Sequence, residues 1–424
     1  MTKNLQVKHV WMISVFGMAS ILFLSFLCPW QNSFILKNTN FTQDYLNRGI
    51  AVIQNSSIRL KKAIKVLSYM ENNDANLAAL ASKNLVHKTK LIVIYTHREH
   101  DFWQPWLAVD KFHSWLAPTC QKYSNNCKLT YNKSEFSRSN VVLFRSRDMP
   151  SVPELRELSK TRTSGQRWVF LTLENPHHTY IDLKRLNGLF NWSMTYRRDS
   201  DIFAPYGFYK KLLHPVNTKA NYAREKNKLI YWPVSNCGKP RDNLARELMK
   251  YVPVDVFGAC RSHFPVNNRS LQCERFSDNC SNLMSSYKFK LSFENRNCED
   301  YITEKYWEAL NHENIPIVLG GANYDHEVAV PGSYINVYDF PSVHALADYI
   351  KYLDNNDTAY NEYFSWRKSF TTKGNNISLM WCNLCDAMEK QHEEKIIHDL
   401  DLFWGVRQNC DVKSEKWFNL TNHY

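Results

Sequence analysis

The sequence predicts an α/β protein with two domains that face each other across a cleft, and two features of the chain support this. Three short, almost continuous apolar runs occupy residues 91–95, 141–144 and 168–173. Such runs are typical of strands that are buried on both faces of a parallel sheet. From residue 228 onward, strand-like and helix-like segments alternate, which predicts a second unit of the same kind.

The second unit begins with a strand in which Pro233 favours an end or an edge position, because proline cannot donate to a sheet. Glycines at 258 and at 320–321 close two of its later strands. The predicted elements, in chain order, are a strand at 229–234, a helix at 241–251, strands at 254–257 and 289–293, a helix at 301–310 and a strand at 316–319.

The composition is that of a globular protein of 424 residues with 44% hydrophobic residues, 22% charged residues and a net charge of +12. This charge either serves solubility or favours an anionic ligand, such as a nucleotide diphosphate, or an anionic membrane surface. The densest basic cluster, at 59–62, is short, and the sequence contains neither a helix-turn-helix nor a zinc-finger pattern. A nucleic-acid partner is therefore not expected.

Residues 10–30 are 21 consecutive residues without a charge, and Lys3 and Lys8 precede them. A helix of this length covers roughly 30 Å, enough to span a bilayer. The lysines place residues 1–9 in the cytosol, so that the rest of the chain enters the secretory lumen. A cleaved signal peptide is the alternative, although its apolar core is usually shorter. Residues 31–87 show weak helical spacing and are predicted to be a stem, with a first helical layer of the core as the alternative.

Cysteines and glycosylation sequons agree with a lumenal location. Cys28 lies in the apolar segment, which leaves an even number of cysteines elsewhere, and an even number in an oxidising compartment predicts disulfides. A zinc site at Cys382 and Cys385 is the less favoured alternative. The disulfide candidates are Cys120, Cys127, Cys237, Cys260, Cys273, Cys280, Cys298, Cys382, Cys385 and Cys410. The glycosylation candidates are Asn40, Asn55, Asn132, Asn191, Asn268, Asn279, Asn356, Asn376 and Asn419.

The densest group of chemically useful residues lies at 293–305. A predicted strand delivers Glu294 and Asn295 to a loop, and the following helix, with Asp300 as its expected cap, attracts phosphate at its amino end. Lys305 would add a positive charge there, and Glu304 would accept hydroxyls of a ribose or a sugar. The alternative is an ordinary solvated helix start.

Two further groups are candidates. Glu174 ends a predicted strand, where a carboxylate in a cleft can act as a general base, although strands often end at an acidic residue. At 196–201, Arg197 and Arg198 either hold an anion or pair with Asp199 and Asp201. Asp199-Ser-Asp201 also matches a short acid-x-acid manganese motif, which is common by chance.

Several motifs in register resemble the α1,3/4-fucosyltransferases. The donor-site signature of that family resembles 287–295 (YKFKLSFEN), 300–305 (DYITEK) and 315–320 (IPIVLG), and a second signature resembles 191–207 (NWSMTYRRDSDIFAPYG). Residues 173–176 (LENP) look like the Glu-Ser-Pro element of the family, with Asn175 departing from it. The resemblance runs from about residue 88 to about 390.

The resemblance implies two Rossmann-like domains in the GT-B arrangement and transfer of L-fucose from GDP-β-L-fucose to a GlcNAc hydroxyl, with inversion, in α1,3 linkage. By position, Glu174 matches the base, and Lys305 and Arg241 match phosphate-binding residues. The other residues on the donor side are Tyr287, Phe293, Glu294, Asn295, Tyr301 and Glu304. The acceptor-side or structural residues are Tyr196, Arg197, Arg198 and Asp199.

The resemblance also implies a Golgi type II membrane protein that needs no cofactor and no catalytic metal, with GDP-fucose and an N-glycan or glycoprotein as its partners. The runs at 236–238 and 258–260 are closer to the enzymes that modify the innermost GlcNAc of N-glycans than to Lewis-type enzymes. The alternatives are a glycan-binding pseudoenzyme of the same fold and an anchored transferase that uses another sugar nucleotide. The predicted segments are a cytosolic tail at 1–9, a transmembrane anchor at 10–30, a stem at 31–87, an acceptor-side domain at 88–220, a donor domain at 221–370 and a C-terminal segment at 371–424.

Overall fold

The computed structural model describes residues 89–96, 120, 126–265, 273–274, 277–324, 327–374, 378–391 and 393–410. Within these ranges, no helix is both long enough and apolar enough to cross a bilayer. The predicted tail, anchor and stem, at 1–9, 10–30 and 31–87, lie outside the described residues. The described part is α/β and contains two separate parallel sheets.

The first sheet has the strand order β2-β1-β3-β4-β5-β6, and every pair in it is parallel. The three apolar runs of the sequence form β1, β3 and β4, which confirms those predictions to within about a residue at each end. Its strands are β1 Lys90–Ile94, β2 Cys127–Thr130, β3 Val141–Arg145, β4 Arg167–Thr172, β5 Trp192–Thr195 and β6 Ile202–Phe203, and helix α1 Val152–Ser159 connects β3 to β4.

Alternate residues of β3 and β4 enter two different cores, which explains why both strands are apolar throughout. Val141 and Val169 pack with residues 380–388 on one face. Val142 and Trp168 pack on the other face with Leu155 of α1. A strand that is covered on both sides has no solvent-facing position for a polar side chain.

The second sheet has the order β12-β11-β10-β8-β9 and is again parallel. Strand β10 is central and buried along its whole length. Strand β7 Gly207–Lys211 precedes this sheet. The strands of the sheet are β8 Lys228–Pro233, β9 Val254–Phe257, β10 Tyr287–Phe293, β11 Ile315–Leu319 and β12 Ile335–Asn336. Its helices are α2 Arg241–Leu248, α3 Asp278–Ser285, α4 Glu304–Asn311, α5 Val343–Asp354 and α6 Asp357–Glu362.

Helices α2 and α5 cover one face of the second sheet, where Phe289 and Leu291 of β10 meet Leu248 and Leu346. On the other face, α4 covers the sheet through apolar contacts with Val318 of β11 and through polar contacts. There the Lys290 ammonium, which is 1% exposed, lies 2.9 Å from the Glu308 carboxylate. The burial of Lys290 is tolerated because α4 supplies this opposite charge.

The chain after β12 returns to the first sheet. Strand β13 Phe370–Gly374 pairs antiparallel with β7. Helix α7 Ser378–Lys390 then packs on the first sheet through Met380, Trp381 and Leu384. Two short helices, α8 Leu400–Trp404 and α9 Val406–Asn409, end the described chain. The C-terminal segment therefore packs on the first sheet although it follows the second sheet in the chain.

All ten candidate cysteines form disulfides, which confirms their assignment. Two bridges attach α7 to the first half of the chain, and a third joins the loop after β10 to the C-terminal segment. The pairs are Cys120–Cys382, Cys127–Cys385, Cys237–Cys260, Cys273–Cys280 and Cys298–Cys410. The Cys-x-x-Cys pair of α7 is therefore occupied by two disulfides and not by zinc.

The asparagines of the predicted sequons differ in how exposed they are. Asn132 and Asn279 are exposed, and Asn356 is half-buried at the start of α6. Asn191 is 4% exposed, and its amide nitrogen donates to the Lys395 carbonyl at 2.7 Å. The folded chain leaves no room for a glycan on that nitrogen, so the prediction for Asn191 is wrong. Asn40, Asn55, Asn268, Asn376 and Asn419 lie outside the described residues.

Candidate active site

The carboxyl ends of the two sheets meet at Glu174. This residue follows the end of β4 by two positions, and its side chain is 33% exposed. The hydroxyl of Tyr301, which belongs to the second half of the chain, lies 3.4 Å from Glu174 Oε2 and donates to it. Tyr206 steadies the backbone here, since its hydroxyl donates to the Leu173 carbonyl at 2.6 Å. Among the described residues, no hydrogen bond or ion pair engages Glu174 Oε1.

His178 approaches the same carboxylate from its own loop. Asn175 caps a short 3-10 helix, Pro176–His178, by accepting a hydrogen bond from the His177 backbone at 3.2 Å. This turn brings His178 Nδ1 to 3.3 Å from Glu174 Oε2. Burial lowers the pKa of His178, and although the charge of Glu174 opposes this, nearby cations reinforce it.

Those cations are Arg147, Lys239 and Arg296, and each lies close enough to contribute to the lowered pKa of His178. They follow the carboxyl ends of β3, β8 and β10, respectively. Three positive charges around one cleft suit an anionic group such as a diphosphate. None of the three was predicted from the sequence, because a single basic residue in a loop has no distinctive pattern. The available signal was that each follows a strand of a parallel sheet.

Lys305 lies in a cage of acceptors at the start of α4. Its ammonium donates to Glu294 Oε2 at 2.9 Å, to the Thr303 hydroxyl at 2.7 Å and to Glu304 Oε1 at 3.2 Å. Burial disfavours the charge of Lys305, but the two carboxylates outweigh it and raise its pKa. Burial likewise acts to raise the pKa of Glu304, yet the Lys305 ammonium holds it well below the usual range, at about 2. The pair is thus charged at neutral pH.

Glu294 is also deeply buried in this cage, at 2% exposed. Burial raises its pKa, opposed by Lys305. Its Oε1 accepts from both the backbone N–H and the hydroxyl of Thr303 at 2.9 Å. Glu294 therefore ties the end of β10 to the first turn of α4.

Arg241 is also deeply buried, at 5% exposed, at the start of α2. It donates to the Phe293 carbonyl at 2.6 Å, and burial lowers its pKa. Its Nε has no hydrogen-bond partner among the described residues. It lies 3.9 Å from Asp242 Oδ1, within ion-pair distance. Arg241 thus holds the end of β10.

Two details of this region differ from the predictions. Helix α4 begins at Glu304 rather than at 301, and its cap position is Thr303. Asp300, the expected cap, instead adopts a left-handed backbone with φ 57° and accepts from the Arg198 side chain and backbone at 3.1 Å. The ion pair with Arg198 accounts for the difference, because it draws Asp300 toward the first half of the chain.

The residues at 196–199 form contacts between elements. The centroids of the Tyr196 and Tyr301 rings lie 4.8 Å apart. Arg197 pairs with Asp199 through two hydrogen bonds, at 2.8 and 2.7 Å, and donates to the Phe403 carbonyl at 2.8 Å. The predicted pairing of Arg197 with Asp199 is observed, whereas Arg198 pairs with Asp300 and Glu327 rather than with Asp201.

Tyr287 and Phe293 occupy opposite ends of β10. Phe293 is fully buried, and its backbone carbonyl, rather than its ring, reaches the site through Arg241. The Tyr287 side chain packs with Tyr231 and Phe257 and donates to Asp255 at 2.7 Å. The structure therefore brings Glu174, Glu294, Asn295, Tyr301, Glu304 and Lys305 together at one edge and leaves Tyr287 a strand length away.

Two family models match the chain, and together they span most of the described residues. The model "Fucosyltransferase, N-terminal" matches residues 87–207, and "Glycosyltransferase family 10 (fucosyltransferase) C-term" matches residues 223–403. The chain is 36% identical over 271 residues to 3-galactosyl-N-acetylglucosaminide 4-alpha-L-fucosyltransferase FUT3 of Bos taurus, covering 63% of this chain and 71% of that protein. The chain belongs to the family 10 fucosyltransferases.

Other relatives have similar names. The chain is 34% identical to 4-galactosyl-N-acetylglucosaminide 3-alpha-L-fucosyltransferase 9 of Mus musculus, covering 68% of this chain and 78% of that protein. It is 35% identical to Glycoprotein 3-alpha-L-fucosyltransferase A of Drosophila melanogaster, covering 70% of this chain. The chain spans 57% of the length of that Drosophila protein.

Solved structures are similar to this family 10 chain only at a low level. A crystal structure of an alpha1,3-fucosyltransferase has a TM-score of 0.49 and 19% identity, covering 74% of this chain and 93% of that one. A crystal structure of an alpha1,3-fucosyltransferase with GDP-fucose has a TM-score of 0.47 and 19% identity, covering 74% of this chain and 94% of that one. Similarity of this size carries no argument about the site.

The acid-x-acid motif of this fucosyltransferase-family chain is engaged in internal contacts. Asp199 pairs with Arg197, and Asp201 accepts from the Ser193 backbone and hydroxyl at 2.9 Å. In the part of the chain that the structure describes, no group of three or more His, Cys, Asp or Glu side chains is arranged to hold a metal ion. Metal independence stays a prediction.

Proposed function

We propose that this chain is an inverting α1,3-fucosyltransferase that moves L-fucose from GDP-β-L-fucose to a GlcNAc hydroxyl. Membership of the fucosyltransferase family supports this. The observation that carries it is the position of Glu174, a half-buried carboxylate with one oxygen held by Tyr301 and the other without a protein partner among the described residues. A base in this setting is oriented and still accessible.

In the proposed reaction, Glu174 takes the proton of the acceptor hydroxyl while that oxygen attacks C1 of fucose from the face opposite the leaving group. The bond between C1 and the phosphate oxygen breaks, and its electron pair leaves with GDP. One displacement converts the β-linked donor into an α-linked product. The proton on Glu174 then returns to solvent.

The donor diphosphate is proposed to lie among Lys239, Arg296 and Arg241. Their positive charge would balance the negative charge that grows on GDP as it leaves. Glu304 is proposed to accept hydrogen bonds from hydroxyls of the donor. Lys305 is proposed to hold the Glu304 carboxylate in place and to bind the phosphates. Asn295 would line the same side of the cleft.

The finer features of the proposal are the GT-B arrangement, a core-type N-glycan acceptor, independence of a metal cofactor, and a Golgi type II location with an anchor at 10–30. The two parallel sheets that meet at their carboxyl ends support the first. A relative named for a glycoprotein substrate supports a glycoprotein acceptor. Five disulfides support an oxidising, lumenal compartment.

The test is incubation of the full chain in detergent with GDP-fucose and a set of defined N-glycans and Lewis-type acceptors, read by mass spectrometry. The expected product carries one added fucose on GlcNAc, with and without EDTA. Parallel reactions with GDP-mannose and UDP-sugars test the choice of donor. GDP-fucose binding without product on any acceptor would favour a pseudoenzyme, and transfer from another donor alone would overturn the fucose assignment.

A further inference from the structure

We propose that His178 is a positioning residue for Glu174, and that Glu174 works as a base only while His178 is neutral. This inference rests on the proposed function, because it concerns the same carboxylate. His178 lies against the proposed base and would act through it, without itself taking the proton of the acceptor hydroxyl.

The geometry gives the first step. His178 Nδ1 and the Tyr301 hydroxyl both approach Glu174 Oε2, at 3.3 and 3.4 Å. One group comes from the loop that follows the base and the other from the opposite half of the chain. The hydrogen bond from Tyr301 and the close contact with His178 restrict the rotation of the carboxylate and leave Oε1 without a protein partner among the described residues.

The backbone gives the second step. The side chain of Asn175 is fully buried and donates to Asn295 across the two halves while its oxygen caps the turn 176–178. Pro176 restricts the first position of that turn. His178 is 15% exposed in this fixed turn, so its imidazole has little freedom to leave the carboxylate.

The surrounding charges give the third step. The groups that face His178 are Glu174 itself and three cations from three other loops, Arg147, Lys239 and Arg296. Burial and these cations lower the pKa of His178 against the opposing effect of Glu174, so the neutral imidazole is the favoured form near neutral pH. Nδ1 has no hydrogen-bond partner of good geometry among the described residues.

The protonation state of His178 affects how strong a base Glu174 is. A protonated imidazole at 3.3 Å would stabilise the anionic form of Glu174 and make it a weaker base. Proton transfer from the acceptor would then be less favourable, since the efficiency of a general base follows its basicity. Acidification should therefore reduce transfer through the protonation of His178.

The experiment measures the pH dependence of kcat/KM for fucose transfer by the full chain. His178→Asn keeps a polar group near the position of Nδ1 but does not titrate, whereas His178→Leu removes the contact. His344→Leu is the matched control, because His344 and Asp348 form the same i,i+4 pair, at 3.6 Å, on an exposed helix face. GDP-fucose binding by calorimetry confirms that each variant is folded.

The parent should lose activity on the acid side more steeply than His178→Asn, because only the parent carries the imidazole that titrates. His178→Leu should lower kcat by roughly 10- to 100-fold, less than removal of a general base costs, with the KM for GDP-fucose within about twofold of the parent. A parental kcat and slope in His178→Leu, with Glu174→Gln inactive, would overturn this inference alone. A parent chain that transfers no fucose would overturn it together with the proposed function.

Discussion

The amide nitrogen of Asn175 donates to the side-chain oxygen of Asn295 at 2.9 Å, and this hydrogen bond joins the loop after β4 to the loop after β10. Asn175 is fully buried, and Asn295 is 8% exposed. Glu174 directly precedes Asn175, and Glu294 directly precedes Asn295. The bond therefore fixes the distance between the proposed base and the proposed donor loop.

Asn175→Ala should destabilise the chain by about 1–3 kcal/mol, because it leaves a buried acceptor of Asn295 without its donor. It should also raise the KM for the acceptor, since the turn that carries Glu174 loses its cap. Urea unfolding with the disulfides intact measures the first effect. Asn243→Ala is the control, because Asn243 makes only an exposed contact with Arg246, and it should change stability by less than about 0.5 kcal/mol. Equal stabilities of the two variants would contradict a bridging role.

Glu174→Gln should reduce fucose transfer by at least about 100-fold, because the amide cannot accept the proton of the acceptor. It should bind GDP-fucose as the parent does, since the size of the side chain and an acceptor for Tyr301 are kept. The measurements are single-turnover transfer and calorimetry. Glu157→Gln, on an exposed surface beside Lys160, is the control and should transfer at the parental rate. Parental transfer by Glu174→Gln would exclude Glu174 as the base.

Much of the site was predictable from the sequence, because residues at the carboxyl ends of parallel strands meet at one edge. Glu174 and Glu294 follow β4 and β10, and both reach the cleft. Tyr287 belongs to the same sequence motif as Glu294. However, Tyr287 is the first residue of the seven-residue strand β10, and the site lies beyond the other end of that strand. A motif that spans a whole strand does not indicate which of its ends binds the ligand.

Other features were not predictable from local sequence. The left-handed backbone of Asp300 depends on its ion pair with Arg198, about a hundred positions earlier in the chain. The disulfide pairs depend on which loops the fold brings together, so ten cysteines alone leave many pairings open. Arg147 and Lys239 are single charges whose role depends on their neighbours in space.

Lys305→Met should destabilise the chain by about 3–5 kcal/mol, because it leaves the buried carboxylate of Glu294 without its cation. The double variant Lys305→Met with Glu294→Gln should regain part of this loss. If GDP affinity stays low in the double variant, Lys305 contacts the phosphates directly; if affinity returns with stability, its role is to hold Glu294. No loss of stability in the single variant would contradict the observed cage.

The same cage predicts how stability depends on pH. The pKa of Glu304 falls to about 2 in the folded chain, whereas an unfolded glutamate has a pKa of about 4.3. Its contribution is therefore present above the unfolded pKa and is lost as the pH falls from about 5 toward 2. Urea midpoints across this range should fall less steeply in Lys305→Met than in the parent.

Gly321→Ala should disrupt the donor loop, because an added Cβ would lie 2.4 Å from the carbonyl carbon of Asn297 and 2.7 Å from the backbone nitrogen of Cys298. Backbone atoms cannot yield as the end of a side chain can, and overpacking of this kind costs about 1–3 kcal/mol. Gly320→Ala is the matched control, since its Cβ would meet only side-chain atoms, those of Glu294 at 3.3 Å and of Tyr324 at 3.6 Å. Calorimetry with GDP should show a larger loss of affinity for Gly321→Ala than for its neighbour.

The two disulfides of α7 should depend on each other. Cys120–Cys382 and Cys127–Cys385 span 262 and 258 positions, but their ends lie close together in the sequence at both sides. While either bridge remains, the other closes only a small loop, formed by 120–127 and 382–385. Loop entropy then predicts that loss of one bridge lowers the free energy of unfolding by about 3 kcal/mol. Loss of the second bridge should lower it by about 5 kcal/mol more, because that bridge then closes the long loop.

Alanine pairs at Cys120 and Cys382, at Cys127 and Cys385, and at all four positions test this dependence by urea unfolding. The four-residue variant should lose more stability than the sum of the two single-bridge variants. Removal of the short-range bridge Cys237–Cys260, which spans 23 positions elsewhere in the fold, is the control and should add independently to either. Strict additivity between the two α7 bridges would mean that they do not constrain the same connection in the unfolded chain.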